Sequence, residues 1–62
     1  MKFVEEFEHD GYLIRIFYLN FEYHWEIWKD KSLIERSRDI YESGCESLEE
    51  CEIYASGYAN CL

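Results

Sequence analysis

Two histidines, three cysteines and fourteen acidic residues are the groups in this 62-residue chain that could do chemistry. His9 and His24 could each act as a base. A base needs a nucleophile or a paired carboxylate held in a cleft. The hairpin register derived below brings no serine or cysteine to either ring. Cys45, Cys51 and Cys61 stand six and ten positions apart. Neither spacing is the short Cys-x₂₋₄-Cys knuckle of a structural zinc site. On one helix, Cys51 and Cys61 would be about 15 Å apart, too far to share an ion. No loop carries the regularly spaced oxygens of a calcium site. An odd cysteine count also argues against a disulfide framework, so three free, buried thiols in a reducing compartment are expected. The chain reads as a non-enzyme with no cofactor and no metal.

The acids are the stronger signal. Six Lys or Arg against fourteen Asp or Glu give a net charge of −8. Direct binding to nucleic acid or to an anionic membrane is excluded, because both need a basic surface. The charge is uneven. Residues 11–38 are nearly balanced, whereas Asp39, Glu42, Glu46, Glu49, Glu50 and Glu52 follow with no cation after Arg38. Glu5, Glu6, Glu8 and Asp10 form a second cluster. One reading is dispersal of a small domain by charge. The sharper reading is a protein partner with a basic surface, whose Arg/Lys groove the carboxylates occupy and whose field raises the on-rate.

A single domain spanning 1–62 must position these groups. Apolar residues make up 48% of the chain and aromatics 19%, too much for a disordered acidic tail. Asp10-Gly11 between two alternating runs predicts a type I′ hairpin. Its register pairs Glu8 with Leu13, Phe7 with Ile14, Glu6 with Arg15, Glu5 with Ile16, Val4 with Phe17 and Phe3 with Tyr18. A second turn at Asn20-Phe21 pairs Tyr18 with Tyr23, Phe17 with His24, Ile16 with Trp25, Arg15 with Glu26, Ile14 with Ile27 and Leu13 with Trp28. A third turn over 29–32 leads to a short strand, 33–37. There an even loop sets Ile34 beside Ile27 but Glu35 against Glu26. Residues 38–46 read as a loop. Ser47 and Glu50 form a capping box opening a helix to about Asn60. Leu48, Cys51, Ala55, Tyr58, Ala59 and Leu62 fall on its buried stripe, while Glu49, Ile53, Ser56 and Asn60 face away. The fold class is α+β: a four-stranded antiparallel meander with one C-terminal helix packed on one face (ββββα).

One helix covers one side of such a sheet. The other should show Val4, Leu13, Phe17, Trp28 and Leu33 around a Glu6-Arg15-Glu26 ladder, unless Ile40 and Tyr41 fold over it. A Trp with apolar neighbours and an Arg has the composition of a binding hot spot, so Trp28 and Phe17 join the acids as candidate partner-binding residues.

Tyr12–Ile16, Tyr23–Trp28, Leu33–Ser37 and Ser47–Cys51, taken together, resemble a class of very short phage and mobile-element proteins built as a small sheet plus a C-terminal helix. Within that class, size, acidity and the missing catalytic motif are similar to the anti-CRISPR proteins. That resemblance implies an inhibitor that occupies a nucleic-acid-binding surface of a CRISPR effector subunit as an acidic DNA mimic. It carries over no individual residue. The alternative is a structural or adaptor module that self-associates, or binds a protein, through the aromatic sheet face. Either way the expectation is a cytoplasmic monomer or weak homodimer, since the N-terminus turns acidic at Glu5-Glu6 and no apolar run approaches the ~20 residues of a bilayer span.

Overall fold

Three two-residue turns shape the molecule: Asp10-Gly11, Asn20-Phe21 and Asp30-Lys31. All six residues have positive φ, from 50° at Asp30 to 83° at Gly11. That is the type I′ geometry, whose twist matches the strands it joins. In this computed structural model the described residues are 1–40 and 43–62. The turns connect β1 (Lys2–His9), β2 (Tyr12–Leu19), β3 (Glu22–Lys29) and β4 (Ser32–Arg36) into one antiparallel sheet of order β1-β2-β3-β4. Two helices follow, α1 (Ser37–Ile40) and α2 (Leu48–Asn60). Neither is long and apolar enough to cross a membrane.

The β2–β3 register is the predicted one at all of its pairs, from Leu13 opposite Trp28 to Tyr18 opposite Tyr23. β1 follows its prediction from Glu8 back to Glu5, then departs from it. A bulge at Val4 sets Phe3, not Val4, opposite Phe17, and Lys2, not Phe3, opposite Tyr18. The extra residue returns Val4 to the core side, where it packs against the buried cluster. Phe3 moves to the opposite face, its ring edge-on to Phe17 at 5.8 Å.

A second bulge, at Ile34, corrects the β4 register. Leu33 lies opposite Trp28, Glu35 opposite Ile27 and Arg36 opposite Glu26. The expected Glu35–Glu26 repulsion is thereby replaced by an opposite-charge pair. Ile34 is accordingly 44% exposed rather than inward. The strand also begins and ends one residue earlier than expected, because Ser37 opens α1.

The 38–46 stretch is not simply a loop. α1 occupies its start, and Cys45 forms an isolated antiparallel bridge with Tyr23, with N···O distances of 2.8 and 2.9 Å. Between these contacts, Trp25 N–H donates to the buried Ser37 Oγ at 3.0 Å. β3 thus finds partners along its second edge in three pieces: β4, one side chain and one bridge. Gly44 is required here. A Cβ at this position would stand 2.5 Å from the Tyr23 carbonyl oxygen.

The core joins large sheet residues to small helix residues. Ile14, Ile16, Trp25 and Ile27 meet Cys45, Cys51, Ala55 and Ala59, all buried. Small side chains one turn apart let α2 approach the sheet closely, and Tyr58 lies 5.2 Å from the Trp25 ring. Ser47 caps α2 as expected, its Oγ accepting from Glu50 N–H at 3.1 Å. The predicted stripe fails at Leu62, which lies past the helix end and is exposed.

Two substitutions test this arrangement by urea unfolding. Phe21 is 87% exposed at φ 65°, so its side chain adds strain without burial. Phe21→Gly should stabilise the protein by about 1 kcal/mol. Gly44→Ala should destabilise it by roughly 1–3 kcal/mol, because the β3 backbone has to give way.

Candidate functional site

The candidate residues fall on two opposite surfaces. Asp39, Glu46, Glu49, Glu50 and Glu52 belong to α1, α2 and the segment between them. Trp28 and Phe17 belong to the sheet face turned away from α2. Glu42 and Tyr41 lie outside the described residues.

The acids are not equivalent. Asp39 is neutralised: its Oδ2 accepts from Arg36 Nε at 2.8 Å, and this carboxylate raises the Arg36 guanidinium above its ordinary value. Glu46, Glu49 and Glu50 are exposed, and none has a cation partner among the described residues. Glu49 and Glu50 sit in the first turn of α2, where the helix dipole favours negative charge. Glu52 lies further along, half-buried, and meets Glu5 of β1.

The Glu5–Glu52 contact was not anticipated, although a signal for it existed. Glu5 pairs with Ile16, a buried residue on the helix side of the sheet, so its carboxyl must point toward α2. The neighbouring Glu52 carboxyl, together with burial, holds the Glu5 carboxyl above its usual range. The contact brings Glu5 of the first acidic cluster beside the second, whereas Glu6 and Glu8 alternate to the outer sheet face. Among the cations, Arg15 lies on the outer sheet face and Arg36 beside α1, whereas Lys29 stands over the Tyr12 ring at 5.0 Å, on the sheet face that α2 covers.

The outer face carries Phe3 in place of the expected Val4. The Arg15 guanidinium lies 5.3 Å from the Phe3 ring and 5.4 Å from the Phe17 ring. Its Nε is 3.8 Å from Glu6 Oε2. Trp28 Nε1 donates to Glu26 Oε1 at 3.0 Å, which fixes the indole. Ile40 is itself partly exposed.

The histidines and thiols have structural surroundings. His9 Nε2 donates to Asn60 Oδ1 at 2.7 Å and ties the first hairpin to the end of α2. His24 is buried, and its Nδ1 has no partner among the described residues. Cys45 and Cys51 are buried neighbours, whereas Cys61, against expectation, is exposed. Burial raises the Cys45 thiol and pushes Cys51 up to about 12. Neither is a thiolate near neutrality, so neither is a ready nucleophile. No group of three or more metal-ligating side chains occurs among the described residues. An apolar cleft of about 650 Å³ opens between α2 and residues Ser37, Ser43, Gly44 and Cys45, walled by Trp25, Tyr58, Ile53 and Tyr54.

The carboxyl pair makes stability depend on pH. Glu5 binds its proton more tightly in the fold than in the unfolded chain, where its value is 4.5. Its ionisation therefore costs stability above the raised value. That cost is relieved as pH falls through the raised value toward 4.5. Glu52→Gln should raise Tm at pH 7, and its advantage over wild type should shrink by pH 5, measured by circular dichroism. An equal loss of Tm at both pH values would show that the two carboxyls do not oppose each other.

Compared with known proteins, the chain matches no family model, no curated protein and no solved structure.

Proposed function

We propose that this protein is an inhibitory binding protein of the anti-CRISPR kind. Its acidic side docks on a basic, nucleic-acid-binding surface of a CRISPR effector subunit. The observation that carries this reading is the approach of Glu5 to Glu52, on a helix that carries three acids and no Lys or Arg. Glu46, Glu49 and Glu50 extend that surface as exposed carboxylates. Rigidity suits the role, because carboxylates fixed on a helix and a strand lose little freedom on docking. Asp39 contributes least, since Arg36 already cancels its charge.

The test is inhibition of target-DNA binding, and of the nuclease step, by a panel of CRISPR effector complexes at low and high salt. Inhibition of one complex should weaken as salt rises. Combined Glu46→Lys, Glu49→Lys and Glu50→Lys should weaken it at least ~10-fold, about 1.4 kcal/mol, with an unchanged circular dichroism spectrum. Asp39→Asn should have a much smaller effect. Absence of inhibition in every complex overturns the reading.

A further inference from the structure

The outer sheet face is ordered in rows that run across the strands. One row is Glu8, Leu13, Trp28 and Leu33. The next is Glu6, Arg15, Glu26 and Arg36. The third is Phe3, Phe17 and His24. The middle row alternates in sign from one edge of the sheet to the other and sums to zero. In a chain of net charge −8 that is a local exception. Arg15 adds a second observation. Its Nε is buried and has no hydrogen-bond acceptor among the described residues, the nearest Glu6 oxygen being 3.8 Å away.

An alternating row of four is complementary to itself under one kind of two-fold axis. An axis lying in the interface, parallel to the strands and between β2 and β3, sets β2 over β3 of a second copy and β1 over its β4. Arg15 then faces the second copy's Glu26, and Glu6 faces its Arg36. In the adjacent row Leu13 faces Trp28. An axis perpendicular to the strands sets each charge over itself, Arg15 over Arg15 and Glu26 over Glu26, which is repulsive. Of these two, the first places opposite charges together in the middle row and Leu13 on Trp28, sets Glu8 at the edge over Leu33, and leaves the strands aligned as in packed sandwiches.

We propose that the outer sheet face is a homodimer interface with its two-fold axis parallel to the strands. The second copy's Glu26 meets the part-exposed Arg15 side chain. Four strands ~4.8 Å apart and about seven residues long cover a footprint on the order of 450 Å² per copy. Doubled, that falls below the ~1,200–2,000 Å² of stable complexes, so the dimer is weak and reversible. The acidic side faces outward on both copies. Salt weakens this association, because it screens the Arg15–Glu26 and Glu6–Arg36 pairs on which the arrangement rests. The proposal rests on the sheet face alone, so it and the acidic reading can fail separately.

Sedimentation equilibrium on the full chain, from about 10 μM to 1 mM at two salt concentrations, tests it. The expected result is a concentration-dependent rise from 7.6 kDa toward twice that mass, greater at low salt. Arg15→Glu alone and Glu26→Arg alone should each stay monomeric. An equimolar mixture of the two should dimerise. Across the axis the two substituted positions then face each other with opposite charge, and the unchanged Glu26 of one variant faces the unchanged Arg15 of the other. If either variant fails to fold by circular dichroism, Leu13→Lys, facing Trp28, should also abolish the dimer. A monomer at every concentration, or a dimer that survives Leu13→Lys and both charge variants, overturns the proposal.

Discussion

The second edge of β3 has to be satisfied, and much of the molecule follows from how that is done. Buried N–H and C=O groups without partners are costly. β3 has eight residues, whereas β4 has five and ends at Arg36. The Ser37 hydroxyl takes over at Trp25, and Cys45 takes over at Tyr23. These contacts hold the chain against β3 as far as Gly44 and Cys45, two residues before the Ser47 cap. The start of α2 is therefore fixed by sheet hydrogen bonding rather than by the helix itself. From that start, Cys51, Ala55 and Ala59 come down on Ile14, Ile16, Trp25 and Ile27.

The sequence was most legible where local chemistry and face parity agreed. The two-residue turn at Asn20-Phe21 and the alternation of β2 and β3 determined the central register, and it holds throughout. Parity alone could not show the bulges. Adding one residue at Val4 exchanges Val4 for Phe3, both apolar, and that choice is settled by the aliphatic core on one side and Arg15 on the other. At β4 a warning was present, since an unbulged strand set Glu35 against Glu26. The bulge at Ile34 replaces that contact with Arg36. α1 and the Cys45 bridge are too short to leave a periodic trace. Among the candidate acids, the sequence grouped Asp39 with Glu49 and Glu50. Only the fold shows that Arg36 cancels Asp39 and that Glu5 joins Glu52.

The charge asymmetry of the chain becomes a division of the surface. Acids gather on α2, and the opposite sheet face is neutral in its middle row. Proteins of this size have little room for separate sites, but a sheet with one covering helix has two unlike sides. The apolar groups that are not needed under α2, among them Phe3, Phe17 and Trp28, remain on the second side. There Arg15 and Glu26 hold them in place through ring contacts and the indole hydrogen bond.

The three tight turns also set the order in which structure can form. Each strand is joined to its neighbour by two residues, so every hairpin closes over a short loop, and loop closure is the main entropic obstacle to pairing. Low mean sequence separation between contacting residues favours rapid folding, and the meander can zip from any of its turns. The helix is in a different position. It touches the sheet through small side chains as far as Ala59, and past that point its last residue is held by the His9–Asn60 hydrogen bond. Opening at Asn60 alone exposes little apolar surface, so amide protons from there to the C-terminus exchange through local fraying, while those of β2 and β3 exchange only when the whole domain unfolds.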